Sequence, residues 1–380
     1  MKKLLFILML LPLISFAQVQ PIGEEGDEMR IPDLYDVSPP IGDSVAVMFR
    51  ALNDYYNWGI RTIGLDTIKE LYTGKNIKVC ICDTGRPKHY AYQNRIIASE
   101  NFTPDDTVDD LNQHSTHVAG IIHEIAPEAG LLFAKVLDAK GVGTNAYVAN
   151  GIEWCALNGA DAINLSLGGG HSAALKAAID RAANMGILVI AAAGNNGQGP
   201  EERMNYPALY DTVIAVGSID QFLDVSWFSS SGSKGDIMAP GERILSTYGE
   251  DQYQSLSGTS MAAPFISGVL ALYLEKGQEA KLAQQTLKDT AKDMLEKGWD
   301  RISFYGYVTP KIYSKEEGEV IQPPNNEIIW ISLIALGVLI VIGALVYFLK
   351  RKKGFNLKEE ASYNPKKPNE NSPNLQNIYE

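Results

Sequence analysis

The chain has 380 residues, 46% of them hydrophobic and 21% charged, which is typical of globular proteins and unlike disordered or fibrous chains. Its net charge of −12 argues against nucleic acid as a partner. Three cysteines, Cys80, Cys82 and Cys155, are too few for a disulfide framework. Cys80 and Cys82 share one face of a predicted strand, so we expect small apolar packing groups rather than reactive thiols.

The N-terminus has the pattern of a secretory signal. Lys2 and Lys3 precede the apolar run Leu4–Phe16, and Ser15-Phe16-Ala17 has the small-x-small form of a cleavage site. An uncleaved membrane anchor is the alternative, but it needs about 20 apolar residues. This run is shorter and contains Pro12, so we predict a signal peptide over 1–17.

Residues 18–56 open with a stretch rich in proline, glutamate and glycine and end in a predicted short helix. From Trp58 onward, apolar runs alternate with helix-like segments. Strands are predicted at 77–82, 131–137, 162–167, 187–193 and 213–216. Helices are predicted at 114–125, 146–157, 173–183, 260–274 and 279–295. This alternation indicates βαβ crossovers and an α/β fold with a mostly parallel sheet, whose ligands gather at the carboxyl ends of the strands.

The C-terminal part predicts a membrane anchor. Residues 314–327 read as a solvated linker, and the next 22 residues, 328–349, carry no charge. At about 1.5 Å per residue, such a helix spans a hydrocarbon core of about 30 Å. A buried core helix is the alternative, but such helices are rarely this long and uncharged. The basic run 350–353 then places the tail 350–380 in the cytoplasm and the preceding domain outside, as in a single-pass type I protein of the cell membrane.

Four segments carry residues that suit acyl transfer. Asp83 ends a predicted strand, His114 opens a helical segment, Asn195 follows the apolar strand Ala191–Gly194, and Ser260 begins a helix in Gly258–Pro264. Acyl transfer by serine needs a nucleophile, a base, a carboxylate that orients the base, and donors for the oxyanion. Each of these roles has a candidate at a strand end or a helix start.

These four segments resemble the motifs of the subtilisin family, in that family's chain order of Asp, His and Ser. The resemblance runs from about residue 58 to 313 and includes Asn164–Gly169 and Met238–Gly241. It implies a subtilisin-like three-layer fold, with a peptidase domain over 57–313. It also implies a serine endopeptidase that acts on polypeptide substrates without a cofactor.

The resemblance implies a role for each residue. Ser260 would attack the scissile carbonyl, His114 would accept and return the proton, and Asp83 would orient the imidazole. Asn195 and the backbone N–H of Ser260 would form the oxyanion hole. Pairing with the substrate backbone is implied for Ser166, Leu167 and Gly168. A pocket for the side chain before the cleaved bond is implied for Gly168, Gly169, Gly194, Asn196 and Asn205.

Other interpretations compete with this one. Four histidines fall within a short span of the sequence, which is the pattern of a zinc site: His89, His114, His117 and His123. However, the His-Glu-x-x-His order of zinc peptidases is absent from the sequence. A weakly catalytic binding relative that kept the triad is one rival, and a processing enzyme with one dedicated substrate is another. We expect no metal site, and His117 is expected to be structural.

Three features depart from the family pattern. Ser115 replaces the glycine that usually follows the catalytic histidine, and a negative φ would let its hydroxyl be accommodated. Residues 18–56 are too few for the usual folding-assistant prodomain, so we expect a permanent extension packed on the domain rather than a removable inhibitor. The stretch 120–127 is short where many relatives insert a calcium-binding loop.

Overall fold

The computed structural model describes residues 28–31, 35–36, 58–65 and 71–311. The predicted signal peptide, the linker 314–327, the predicted membrane helix 328–349 and the tail 350–380 lie outside the described residues. So does most of the extension 18–56. Among the described residues, no helix is long and apolar enough to cross a membrane.

The centre of the fold is a parallel sheet of seven strands in the order β11-β10-β9-β7-β3-β5-β4. Its strands are β3 Lys78–Asp83, β4 Ile96–Asn101, β5 Gly130–Lys135, β7 Ala162–Leu165, β9 Leu188–Ala192, β10 Val213–Ile219 and β11 Ile237–Pro240. The predicted parallel sheet is confirmed. From β3 the chain passes to the edge strand β4 and returns to β5 beside β3, and it then crosses to β7 on the other side of β3. The sheet's switch point therefore lies between β3 and β7.

Helices cover both faces of this sheet. They are α1 Trp58–Thr62, α2 His114–Ile125, α3 Asn145–Leu157, α4 Ala173–Asn184, α5 Thr259–Glu275 and α6 Ala280–Asp289. Side chains alternate across β3, so Val79 and Ile81 join the core under α2 and α5. Cys80 and Cys82 join the core under α3 and α4. The arrangement is the expected three-layer one.

Local chemistry sets the helix ends. Thr144 accepts from the Tyr147 N–H before α3, and Ser172 accepts from the Leu175 N–H before α4, as good N-caps do. The prediction that the last helix reaches residue 295 is wrong, because α6 ends at Asp289. Beyond that point Lys292 exchanges backbone hydrogen bonds of 2.9 and 3.0 Å with Tyr307, which a continuing helix would forbid.

The sequence interpretation of the cysteines is also wrong in part. Cys80 on β3 and Cys155 on α3 form a disulfide across a separation of 75 residues. Cys82 keeps a buried thiol, 3.5 Å from the Cys155 sulfur. The helix packs Cys155 onto the face of β3 that carries Cys80 and Cys82, a proximity that spacing along the chain does not reveal.

Two small antiparallel sheets flank the central one. The first has the order β6-β1-β8, with β1 Glu28–Arg30, β6 Val142–Thr144 and β8 Gly168–Gly169. The second has the order β12-β13-β2, with β2 Tyr35–Asp36, β12 Ile244–Tyr248 and β13 Gln252–Ser257. Each of these two sheets includes one strand from the N-terminal extension.

Candidate active site

Asp83 and His114 form a buried pair at the carboxyl end of the sheet. Asp83 is the last residue of β3, and His114 is the first residue of α2. The Asp83 Oδ1 and His114 Nδ1 atoms are 2.7 Å apart, and both side chains are fully buried. The same Oδ1 accepts a 2.7 Å hydrogen bond from the Thr84 N–H. The contact between Asp83 and His114 Nδ1 orients the imidazole so that its Nε2 atom faces away from the carboxylate.

A network behind the pair joins the strand end to the helix start. Thr84 donates to Asp110 at 2.8 Å and accepts from the Ser115 N–H at 3.0 Å. Asp110 also accepts from the Thr116 N–H and hydroxyl, at 2.8 and 2.7 Å. The buried Lys135 ammonium donates to the Thr84 carbonyl at 2.6 Å. Sequence reasoning assigned no role to Thr84, Asp110 or Lys135, because their partners lie in other segments.

Ser260 is the second residue of α5, where helix N–H groups and the dipole favour a developing anion. Its hydroxyl donates to the Ser166 carbonyl at 3.2 Å, and the Ser166 hydroxyl donates back to the Ser260 carbonyl at 2.8 Å. Among the described residues, His114 Nε2 has no hydrogen-bond partner. The Ser260 hydroxyl and His114 Nε2 therefore share no hydrogen bond in this structure, and such long contacts are common in sites without substrate.

Asn195 follows β9 and is held by Thr259, the residue before the nucleophile. Its side-chain oxygen accepts from the Thr259 N–H at 2.9 Å and from the Thr259 hydroxyl at 2.8 Å. The same hydroxyl accepts from the Gly194 N–H at 3.1 Å. These contacts fix the amide so that its oxygen faces Thr259 and its N–H donors face the other way. Thr259 lies within the Gly258–Pro264 motif, but the motif alone does not reveal this positioning contact.

Of the residues predicted to line the pocket, Gly168, Gly194 and Asn196 lie around Asn205. A methyl group built on Gly194 or on Gly168 would lie 3.0 Å from an Asn205 side-chain atom, so both glycines line the space beside it. Gly194 also has a φ of +113°, which side-chain-bearing residues rarely adopt. The Asn196 amide donates to the Asn205 side-chain oxygen at 3.2 Å. The space beside these two glycines is therefore bordered by polar atoms of Asn205 and Asn196.

The predicted substrate edge has an unexpected partner. Leu167 is buried in the core under α3 and α4, whereas Gly168 and Gly169 form β8. Gly169 exchanges hydrogen bonds with Tyr206 at 2.8 and 3.1 Å on one side. On the other side, β8 pairs with β1 from the chain's own N-terminal extension. The edge predicted for the substrate backbone is therefore occupied in this structure.

Comparison with known proteins agrees with the geometry. The model of the subtilase family matches residues 74–307. The chain belongs to the subtilase family. It is 42% identical to subtilisin DY from Bacillus licheniformis over 232 residues, 58% of this chain and 84% of that protein. It is 44% identical to the major intracellular serine protease of Bacillus subtilis over 233 residues, which are 56% of this chain and 73% of that protein.

Thermitase from Thermoactinomyces vulgaris is 39% identical over 257 residues, which are 63% of this chain and 91% of the relative. Family membership and these similarities make this subtilase a subtilisin-type serine endopeptidase.

The other histidines of the subtilase make structural contacts. His117 Nε2 lies 3.0 Å from the Gln254 carbonyl, and His89 Nε2 lies 3.1 Å from the Gln252 carbonyl. Burial lowers the pKa of His117 to about 3, so the ring is neutral in the folded protein. Within the described part of the chain, the three cysteine sulfurs are the one group of potential metal ligands close together, within 4.8 Å. Two of those sulfurs are spent in the disulfide.

Ser115, the departure from the subtilase pattern, lies inside α2 and is fully buried. Its backbone φ angle is not positive, so the backbone conformation tolerates a side chain. Among the described residues, its hydroxyl has no hydrogen-bond partner. The serine side chain therefore fits sterically, but its buried hydroxyl makes no hydrogen bond to the described residues.

Proposed function

We propose that this subtilase hydrolyses peptide bonds through Asp83, His114 and Ser260, with Asn195 as an oxyanion donor. The observation that carries the proposal is the buried 2.7 Å contact between Asp83 and His114 Nδ1, which leaves Nε2 on the side of the ring away from the carboxylate. The proton of the Ser260 hydroxyl would pass to Nε2 as the oxygen attacks the carbonyl carbon. The protonated imidazole then returns that proton to the leaving amine.

The oxyanion that forms in the attack needs donors that are already aimed. Thr259 holds the Asn195 side-chain oxygen, which directs the amide nitrogen away from Thr259, and this nitrogen is the proposed donor to the substrate oxygen. The Ser260 N–H at the start of α5 supplies the second donor. Both donors are positioned by contacts within the protein, so little reorganisation is required when charge develops.

The experiment that tests this assignment is labelling with a fluorophosphonate. We expect the reagent to modify Ser260 in the full chain, and Ser260→Ala to abolish both labelling and peptide hydrolysis. Ser233→Ala is the matched control, because it removes an exposed serine remote in sequence from all four motifs. Labelling that persists in Ser260→Ala would refute the triad. Absence of any peptidase activity in the labelled wild type would favour the binding relative.

Substrates are proposed to be polypeptides bound in extended form against β8. Pairing to backbone atoms tolerates many sequences, because the side chains alternate away from the edge. The polar Asn205 beside Gly168 and Gly194 argues against strict selection of large apolar side chains before the cleaved bond. Profiling cleavage of a peptide library would separate a broad endopeptidase from an enzyme with one dedicated substrate.

We also propose that residues 328–349 tether the enzyme to the cell membrane, with the peptidase domain outside the cytoplasm. Support comes from the uncharged run, the basic residues 350–353 that follow it and the signal-like N-terminus. Protease added outside spheroplasts should digest the domain and spare an epitope after Glu380. Digestion of that epitope in intact spheroplasts would invert this topology.

A further inference from the structure

Three cysteine sulfurs lie together in the core between β3 and α3 and are here called the sulfur cluster: Cys80, Cys82 and Cys155. Cys80 and Cys155 form the disulfide, and the Cys82 Sγ atom lies 3.5 Å from the Cys155 Sγ atom. All three sulfurs lie within 4.8 Å of one another, and the three residues are fully buried. The sequence contains three cysteines in all, so the free thiol of the chain touches its disulfide.

The backbone brings Cys155 over two cysteines rather than one. Cys80 and Cys82 are two residues apart on β3, so both side chains leave the strand on the face that α3 covers. Gly151 and Cys155 are four residues apart in α3, so they lie on one face of the helix. A methyl group built on Gly151 would lie 3.7 Å from the Cys82 sulfur and 2.4 Å from Val136 Cγ1. The helix therefore approaches the strand closely, because glycine at 151 leaves the space free.

The contact between Cys82 and Cys155 brings together the reactants of thiol–disulfide exchange. In this reaction a thiolate attacks one disulfide sulfur and displaces the other sulfur as a thiolate. Here the Cys82 thiolate would form a bond to Cys155 Sγ, and the bond between Cys80 and Cys155 would break. The proton that leaves Cys82 ends on the Cys80 sulfur, so the chain keeps one disulfide and one thiol. The step therefore needs no oxidant or reductant.

Burial of the sulfur cluster makes this step slow in the closed protein. Burial, and in second place the charge of Asp83, raises the pKa of the Cys82 thiol, so few molecules carry the reactive thiolate near neutral pH. The disulfide between Cys80 and Cys155 therefore persists near neutral pH. Exchange should become faster when the pH rises or when α3 opens locally.

We propose that the sulfur cluster is a thiol–disulfide exchange site, in which Cys155 pairs with either Cys80 or Cys82. Both isomers join α3 to β3, and exchange moves the cross-link two residues along the strand, to the position immediately before Asp83. A bond between Cys80 and Cys82 is disfavoured, because Cβ atoms two residues apart on a strand are separated by about 6.6 Å and a disulfide needs about 3.8 Å. Cys155 is thus the sulfur that both isomers share.

The first test removes the disulfide partner seen in the structure. Cys80→Ser, folded with oxidised glutathione as the oxidant, should form a cross-link between Cys82 and Cys155. We expect mass spectrometry of its digest to find that pair of peptides, and the denatured variant to contain no thiol that reacts with a maleimide. Cys155→Ser is the matched control, because it removes the shared sulfur, and no cross-link is expected in it. Absence of the Cys82–Cys155 pair from folded Cys80→Ser would overturn the proposal.

Unfolding in urea gives a second readout on the same variant. The midpoint should be higher for Cys80→Ser than for the double variant Cys80→Ser/Cys155→Ser, because a cross-link lowers the entropy of the unfolded chain. A dithiol reductant, which converts the cross-link into two thiols, should remove the difference. Equal midpoints without reductant would show that Cys82 forms no cross-link and would overturn the proposal.

The second test uses the unaltered chain and does not depend on how a variant folds. The protein, with its peptidase activity blocked by a sulfonyl fluoride, is held at a series of alkaline pH values, quenched in acid, unfolded and labelled with a maleimide. We expect the label to begin on Cys82 and to divide with time between Cys82 and Cys80, with one label per chain throughout. The rate should rise about tenfold per pH unit, because the thiolate fraction of a thiol with a raised pKa does so.

The position of the label separates exchange within the folded cluster from random exchange in an unfolded chain. Label on Cys155 would mean random exchange, and label confined to Cys82 at every pH would mean no exchange; either result would overturn the proposal. None of these readouts measures peptide hydrolysis, so the exchange site and the proposed catalytic residues stand or fail separately.

Discussion

The base side and the nucleophile side of the site differ in how far the fold has assembled them. His114 is already held by Asp83 at 2.7 Å, behind which Thr84 and Asp110 tie the strand to the helix. Ser260 donates instead to the Ser166 carbonyl, and the nearby strand β8 pairs with β1. The Asp83–His114 pair is therefore preorganised, whereas the residues proposed to meet the substrate contact other parts of the same chain.

The largest effect on activity is expected from changes to the Asp83–His114 pair. His114→Ala removes the proton acceptor, and kcat should fall by about 10⁶-fold, the size known for the relative subtilisin. Asp83→Asn leaves the base but disturbs its tautomer, so a smaller loss of about 10⁴-fold is expected. Single-turnover kinetics on one peptide measure both. Equal losses, or a larger loss in Asp83→Asn, would contradict the division of roles.

Asn195→Ala breaks the donor on the nucleophile side. In the proposed role its hydrogen bond forms mainly in the transition state, so kcat should fall by about 10²- to 10³-fold while KM changes much less. Thr259→Val should produce a smaller fall of the same kind, because it removes a hydroxyl that positions the amide. A variant that changes KM alone would show that Asn195 binds substrate rather than the oxyanion.

The disulfide supports the strand that carries Asp83. Cys155→Ser removes the cross-link, and the free energy of unfolding should fall by about 2–5 kcal/mol. Cys82→Ser is the matched control, since burial raises the pKa of that thiol and it forms no cross-link in the structure. Urea unfolding under non-reducing conditions measures both. Equal destabilisation by the two variants would mean that packing, rather than the cross-link, matters at this place.

Acid should lower the free energy of unfolding through protonation of His117. Its pKa in the folded protein is about 3, below the ordinary value of 6.5, so the unfolded chain binds more protons between these pH values. Stability should therefore fall as pH falls from about 6.5 toward 3, with up to about 1.4 kcal/mol per pH unit from this residue. His117→Gln should flatten that slope in urea titrations. An unchanged slope would remove His117 as its source.

The smallest effect is expected at Ser115, next to the base. Because serine lies in α2 without a positive φ, Ser115→Gly should change kcat/KM by less than about tenfold, equivalent to about 1.4 kcal/mol. The loss of a buried, unpaired hydroxyl and the cost of glycine in a helix oppose each other in stability. A rise in kcat/KM of a hundredfold or more would show that serine obstructs the site.

Much of this protein follows from local sequence. Buried parallel strands appear as apolar runs, so β3, β7 and β9 were predicted together with the residues at their carboxyl ends. Asp83, His114, Asn195 and Ser260 stand in short motifs whose order along the chain already indicated the family. The α/β class, the parallel sheet and the enzyme class are predicted from the sequence alone.

Tertiary structure decided the rest, because it concerns contacts between segments far apart in the chain. The Cys80–Cys155 disulfide joins residues 75 apart, and Thr259 orients an amide 64 residues before it. β1 has three residues and no periodic pattern of its own, so only the free edges of β6 and β8 make it a strand. A strand that exists through its partners leaves no local signal, since its hydrogen bonds and its burial are both supplied by other parts of the fold.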